Sequence, residues 1–208
     1  DGLGLMEARL LVSQGHEVVV HGRSRQRANE ALSKVPGALT AVVGDLASIA
    51  ETKALAEQVN ELGPFDAVIQ NAGVYGDVHC VRTVDGLPRI FAVNSLAPYI
   101  LTCLIRRPKR LVYTSSGLHR SGDDSLRDLA WNSRRCSSSG AYADSKLHNV
   151  ILAFAVARTW PGVLSNAVDP GWAATKMGGP GAPVSIEEGA RTQVWLAVSQ
   201  EHEALVSG

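Results

Sequence analysis

Tyr142 and Lys146 stand four residues apart at the start of an apolar run, Val150 to Val156. If that run is a helix, the two side chains share one face, a single turn apart. A phenol with an ordinary pKa of ~10 is a poor proton donor or acceptor at neutral pH. An ammonium one turn away favours the phenolate and lowers that pKa. A tyrosine tuned in this way can pass a proton to or from an alcohol or carbonyl oxygen. The same spacing also describes a solvated Lys beside a half-buried Tyr. What the rest of the chain places around the pair decides between the two.

Composition narrows the field. The chain has 208 residues, 45% hydrophobic and 19% charged, with a formal net charge of zero. That suits one globular domain, residues 1–208, with a sizeable core. The balanced charge and the lack of a basic run argue against nucleic acid or an anionic membrane as partner. No apolar stretch reaches the ~18 residues a membrane helix needs. Cys80, Cys103 and Cys136 are far apart, and no CxxC or Cys/His spacing points to a metal. Three ordinary thiols fit a reducing compartment, so a cytoplasmic location is expected.

The elements that must position the pair alternate. A helical pattern carries Leu3, Met6, Leu10 and Leu11 and stops at Gln14-Gly15. Strands are expected at Glu17–His21, Ala38–Val43, Asp66–Gln70, Arg110–Thr114 and Leu164–Val168. Between them fall helices at Gln26–Lys34, at Ser48–Leu62 with Ser48 as N-cap and Glu51 completing a capping box, and over most of Asp85–Leu104 with a kink at Pro98. The Tyr142 helix follows a long polar segment, Leu118–Gly140. A last helix spans about Ile186–Val198, after a Gly/Pro-rich loop at Gly178–Pro183. Short apolar strands alternating with helices are the signature of an α/β fold: a doubly wound parallel sheet of the Rossmann type, in three α/β/α layers.

Ligands bind such sheets outside the carboxyl ends of the strands, and the unusual residues of this chain cluster there. Gly22-Arg23-Ser24, Gly44-Asp45-Leu46, Asn71-Ala72-Gly73, Ser115-Ser116 and Asp169-Pro170-Gly171 each follow a strand. Packing alone does not ask for such decoration at every strand end.

With these motifs in this order, the chain resembles the short-chain dehydrogenase/reductase family along essentially its whole length. The Tyr-Ala-Asp-Ser-Lys-Leu form of its motif and the long Ser116–Tyr142 segment are most similar to retinol-dehydrogenase-like members. Gly2-Leu3-Gly4 resembles the end of that family's phosphate loop, where glycines let backbone N–H groups approach a pyrophosphate at a helix N-terminus. The strand that precedes this loop in the family, and the family's last strand, are expected to lie outside the 208 residues.

The resemblance implies an NAD(P)-dependent oxidoreductase that moves a hydride between nicotinamide and a small, hydrophobic carbonyl or alcohol. Tyr142 would be the acid/base, and Lys146 would lower its pKa and hold the nicotinamide ribose. Ser116 would bond the substrate oxygen, and Asn94 would steady a proton relay to Lys146. Arg23, with no acid beside it, favours NADP(H) over NAD(H) by pairing with a 2′-phosphate; the alternative is a solvated basic turn. Asp45 with Leu46 would meet the adenine or cap the next helix, and Asn71, Ala72 and Gly73 would border the cofactor. Pro170, Gly171, Trp172 and Thr175 would contact the nicotinamide amide and phosphates. Val74, Tyr75, Leu118, His119, Trp131, Trp172 and Met177 would line an apolar substrate pocket. Asp123, Asp124, Arg127, Asp128, Arg134 and Arg135, in the 120–139 segment, read as a solvated surface. The family's assemblies lead to a homodimer or homotetramer. A non-catalytic dinucleotide-binding sensor or scaffold is the competing class, and it would have no need of Asn94, Ser116, Tyr142 and Lys146 together.

Overall fold

Arg110–Thr114 shows why these residues make a strand and where the core lies. All five are buried, and alternate side chains leave a strand on opposite faces. Leu111 and Tyr113 pack with Ala153, Val156 and Val163, whereas Val112 packs with Val168 and Leu196. A strand apolar on both faces must be covered on both, and here one helix covers each.

A computed structural model describes residues 2–76, 81–135 and 137–208. Asp1, Cys80 and Cys136, and part of the polar loop after Gly73, lie outside the described residues. In chain order the elements are α1 (Gly2–Ser13), β1 (Val19–Gly22), α2 (Arg25–Lys34), β2 (Thr40–Val43), α3 (Ile49–Glu61), β3 (Ala67–Gln70), α4 (Arg89–Phe91), a π-helical turn (Ala92–Leu96), α5 (Ala97–Leu104), β4 (Arg110–Thr114), a 3-10 turn (Gly117–Ser121), α6 (Ser138–Thr159), β5 (Leu164–Val168) and α7 (Ile186–Val198). Every strand pairing is parallel, as expected, and helices flank the strands. Among the described residues the strands form two groups, β1–β2 and β3–β4–β5. Each helix-to-strand core is local: α1 and α2 pack on β1 around Ala8, Val20 and Val35, and α3 and α5 meet β2 around Val42, Leu55, Val93 and Leu101.

Two local expectations change. Asp85–Leu104 was expected to be mostly helical; the helix begins only at Arg89, after Pro88, and its middle is a π turn. Pro98 has no N–H to give a carbonyl one turn back, and a wider turn directly before it absorbs that defect. Asn94 sits in this π turn. Ser48 does cap α3, accepting from Glu51 N at 3.3 Å. The reciprocal half of the capping box is absent, however, because the Glu51 carboxylate accepts from Asp45 N at 2.8 Å. The complete capping box belongs to Ser185 and Glu188 at the start of α7.

Candidate active site

Parallel register brings the strand ends together. Gln70 pairs with Tyr113, and Tyr113 with Ala167. The segments following these residues, Asn71–Gly73, Thr114–Ser116 and Val168–Gly171, therefore leave the sheet at one edge. Helix α6 is fastened across that edge. Lys146 Nζ donates to Thr114 O at 2.8 Å, Asn149 Nδ2 donates to the same carbonyl at 3.2 Å, and Ser115 Oγ donates to Lys146 O at 2.8 Å. Ser115 thus serves as a rivet, whereas Ser116 Oγ accepts from Leu118 N at 3.3 Å.

Lys146 is 3% exposed. Burial disfavours its charged form and pushes the ammonium down to about 8. Its Nζ lies 5.4 Å from the Tyr142 ring centroid. Tyr142 is also buried, and burial raises its phenol above 10; a hydrogen bond from Ser116 pulls the other way, and Tyr75 and Asp169 add to the rise. The sequence expectation has Lys146 lowering the Tyr142 pKa; in this fold burial moves that pKa upward, and Lys146 is not among the groups that shift it. The Lys146 ammonium is turned toward Thr114 O instead of the phenol. The phenol O–H points at Met177 Sδ, 3.8 Å away, and the Tyr75 ring meets it edge-on with centroids 4.7 Å apart.

Asn94 is completely buried. It clasps the backbone after β3, accepting from Val74 N at 2.8 Å and donating to Val74 O at 3.0 Å, and it also donates to Ser145 Oγ at 3.1 Å. It therefore ties the Asn71–Val74 loop to the turn between Tyr142 and Lys146. Gly73 lies in the angle between them: a methyl group there would sit 3.4 Å from Lys146 Nζ and 3.6 Å from Asn94 Oδ1. This is a cradle that a Cβ would fill, beside a donor group with hydrogens to spare.

The N-terminus of α1 closes the same edge. With the Asn71 amide assigned in the orientation that satisfies both its neighbours, Gly4 N donates to its oxygen at 3.2 Å and its nitrogen donates to Glu7 Oε1 at 3.3 Å. A side chain at Gly4 would strike the Asn71 amide, and one at Gly2 would lie 3.3 Å from the Thr175 methyl. Gly2, Gly4, Asn71 and Thr175 are thus neighbours, and Leu3 lies between the two glycines. Glu7 is a residue that the site reading missed. It is 3% exposed, and burial pushes its carboxyl up to about 8. Its one signal in the sequence is a carboxylate on the apolar stripe of Leu3, Leu10 and Leu11.

The remaining expected residues fall in two places. Arg23 follows β1 and, with His21, Arg27 and Lys34, lines a cleft of about 360 Å³. Gly22 is required there because any Cβ would collide with the backbone of Ala28 at the start of α2. Asp45 accepts from Ala47 N at 2.9 Å, capping the turn before α3 rather than the helix itself, and the Leu46 side chain belongs to the β2–α3 core. In the loop after β5, Trp172 Nε1 donates to Gly178 O at 2.8 Å, and Gly178 N donates to Thr175 Oγ1 at 3.1 Å. These bonds fold the Gly171–Gly179 loop so that Met177 reaches Tyr142. Pro170 and Gly171 form the turn out of β5, with Gly171 N held by Asp169 Oδ1 at 3.0 Å. Leu118 is half-exposed on the 3-10 turn, and His119 Nδ1 is bonded back to Ser116 O at 2.7 Å. Ala72 and Val74 pack into the core beneath the loop. A larger cleft of about 590 Å³ lies between the C-terminal half of α1 and α7, at the far end of α1 from Gly4.

The solvated surface expected of the 120–139 segment is only partly present. Asp124, Arg127 and Arg135 are exposed. Arg134 and Asp128 are not free surface charges, because Arg134 pairs with Asp144 at 2.8 Å and Asp128 accepts from the backbone of Asn132, Ser133 and Arg134. Asp144, inside the Tyr142–Lys146 turn, is a second residue the site reading missed.

A strand-end edge carrying Ser, Tyr and Lys over a glycine-lined cradle defines a class, and comparison with known proteins agrees. A family model described as short chain dehydrogenase matches residues 1–116. The chain is 49% identical over 204 residues to an uncharacterized oxidoreductase, AN7799, of Emericella nidulans, covering 96% of this chain and 77% of that protein. It is 31% identical over 252 residues to retinol dehydrogenase 14 of Homo sapiens, covering 100% of this chain and 74% of that protein. A crystal structure of an uncharacterized protein from Mycobacterium paratuberculosis superposes with a TM-score of 0.81 at 28% identity, over 97% of this chain and 74% of that one. The chain belongs to the short-chain dehydrogenase family. It is an oxidoreductase with the family's Rossmann-type NAD(P)-binding fold, and its likeness to retinol dehydrogenases holds. No helix among the described residues is long and apolar enough to cross a membrane.

Proposed function

We propose that this chain is an NADP(H)-dependent reductase of a small hydrophobic carbonyl compound, with Tyr142 as its acid. The carrying observation is the convergence of Ser116, Tyr142, Lys146 and Asn94 on the edge where Gly73 leaves room beside Lys146 Nζ. When bound, the nicotinamide cofactor supplies the hydride. The chain's own part is placement and proton handling. A tyrosine phenol holds its proton at neutral pH, so Tyr142 meets a substrate as a donor to the carbonyl oxygen; burial, which raises its pKa, makes the help of a second donor to that oxygen necessary. Ser116, near enough to draw that phenol's pKa down, is the second donor for the same oxygen. Lys146 has hydrogens left for a ribose hydroxyl beside Gly73, and Asn94 holds the loop and the helix at a fixed distance. Gly2, Gly4 and Asn71 form the phosphate end, and Arg23, in a cleft that it lines with Arg27, Glu30 and Lys34, reads a 2′-phosphate. Tyr75, Trp131, Trp172 and Met177 make the substrate side apolar. A cytoplasmic enzyme, working as one domain in a homodimer or homotetramer, fits this reading.

The test is a cofactor-oxidation screen over aldehydes, ketones and quinones with NADPH and NADH. Tyr142→Phe is expected to keep cofactor affinity and lose turnover by about 10²–10⁴-fold, the range of one general acid; full activity in that variant overturns the mechanism. Arg23→Ala is expected to weaken NADPH far more than NADH, and equal loss refutes the 2′-phosphate assignment.

A further inference from the structure

Asp144 lies between Tyr142 and Lys146, yet its side chain points away from the proton relay. It is 4% exposed and carries three contacts, all to the segment that precedes α6. Oδ1 accepts from Asp123 N at 2.8 Å. Oδ2 accepts from Trp131 Nε1 at 3.1 Å and pairs with Arg134 Nη1 at 2.8 Å. The Arg134 guanidinium in turn lies over the Trp131 ring, 4.0 Å from its centroid. Its Nη2 donates to Asp128 O at 2.9 Å, and the Asp128 carboxylate accepts from three successive backbone N–H groups, those of Asn132, Ser133 and Arg134.

Trp131 is thereby held from several sides. Its indole N–H is bonded, and one ring face is covered by Arg134. Its ring packs against the buried cluster of Ile90, Ala141 and Tyr142. Its approach to α6 depends on Gly140, where a Cβ would stand 2.8 Å from Trp131 Cη2. Trp131 also has φ of 51°, a left-handed conformation that costs a bulky residue roughly 1–2 kcal/mol. Such a conformation persists when surrounding contacts over-determine it, and it collects at functional sites.

We propose that Asp144 and Arg134 are positioning residues that clamp Trp131 beside Tyr142 as a rigid wall of the carbonyl pocket, so that the 123–134 segment sets substrate selectivity through one buried carboxylate on the catalytic helix. The proposal rests on Tyr142 as the acid, and it adds what shapes the space around it. Binding energy from a fixed wall separates substrates by shape, whereas a mobile indole admits them alike. A carboxylate pairing both with an arginine fork and with an indole N–H fixes the geometry more tightly than apolar contact alone.

The test uses Asp144→Asn, Arg134→Ala and Trp131→Phe in the full chain, with Tyr142→Phe as control. Asparagine keeps an acceptor for Asp123 N but loses the ion pair; Arg134→Ala changes a half-exposed side chain, so it retains the fold if Asp144→Asn does not. The first readout is acrylamide quenching of Trp131 fluorescence, taken as the difference from Trp131→Phe. The second is the ratio of kcat/KM for 9,10-phenanthrenequinone and for propanal with NADPH. Both clamp variants are expected to expose Trp131 to quencher and to shift that ratio by about fivefold or more, within the 10–200-fold reach of pocket shape. NADPH affinity should stay within about twofold, since every residue named lies off the cofactor cradle. Unchanged quenching shows that Asp144 and Arg134 do not hold Trp131 and overturns the proposal. Increased quenching with an unchanged ratio also overturns it, because Trp131 is then clamped without walling the pocket. If Tyr142→Phe keeps full turnover, the reading of the acid fails instead, and the quenching arm still decides whether the clamp exists.

Discussion

Lys146→Met tests whether the site keeps an ammonium at a cost to the fold. The wild-type Lys is buried at the end of β4, with a pKa lowered from 10.5 to about 8. Below pH 8 the native state holds a charge that it disfavours, and the unfolded chain holds the same proton freely. From pH 8 to 10.5 the native state gives up its proton first, so the unfolded state binds more protons and stability rises with pH. Above 10.5 both states are neutral and the penalty is gone. At about 1.4 kcal/mol per pKa unit, the full penalty is about 3 kcal/mol. Methionine has similar volume and no charge, so this term vanishes in the variant. Thr114 O keeps Asn149 Nδ2 as a donor, which limits the loss from the missing ammonium bond. The assay is thermal unfolding of the cofactor-free protein and of the variant from pH 7 to 10. The variant's advantage should shrink by about 2.5 kcal/mol across that window, or roughly 5–10 °C for a chain of this size. Turnover is expected to be lost throughout. Parallel curves for the two proteins would refute the claim that burial governs Lys146.

Glu7→Gln carries the opposite sign. A carboxyl raised from 4.5 to about 8 makes wild-type stability fall as pH climbs from 4.5 to 8, by up to about 5 kcal/mol. Glutamine keeps an acceptor for Asn71 and should flatten that slope; the check is melting temperature against pH from 5 to 8.5. Asn94→Ala strips the partners of Val74 N and Val74 O and one partner of Ser145 Oγ. It is expected to cost about 2–4 kcal/mol in urea unfolding as well as turnover, and a loss of activity with unchanged stability would mean that Asn94 does not fasten the loop to α6.

How much of this was legible follows from what kind of signal each residue sends. Strand ends, helix faces and the order of the motifs depend on local pattern, so the parallel α/β fold could be read directly, whereas Ser116 was singled out beside Tyr142 only through the family resemblance. The π turn at Ala92–Leu96 was announced by Pro98, but only as a kink, because a missing N–H does not say how the helix absorbs it. The Glu51 carboxylate met both Asp45 N and Ser48 N as candidate partners, and spacing alone favoured the wrong one. Asp144 and Glu7 were passed over for a shared reason. Each is a charge among apolar or catalytic neighbours, and burial of a charge is decided by segments distant in sequence, Trp131 with Arg134 for one and Asn71 for the other.

The same limit explains the relay's electrostatics. A spacing of four residues puts Tyr142 and Lys146 on one face and, in water, would let the ammonium draw the phenol down. In the fold both groups lie against the end of β4, where neither charged form is welcome: the phenol rises and the ammonium falls. Coulomb attraction between a phenolate and an ammonium must overcome two desolvation terms, and Nζ is bonded to Thr114 O rather than to the phenol oxygen. The resting pair is therefore a protonated tyrosine beside a lysine near its titration point. A phenol raised in this way is a weaker acid than a free tyrosine, so its proton leaves only toward a strongly basic oxygen. Spacing puts the two groups on one face of the helix, and depth of burial determines which of them holds the proton.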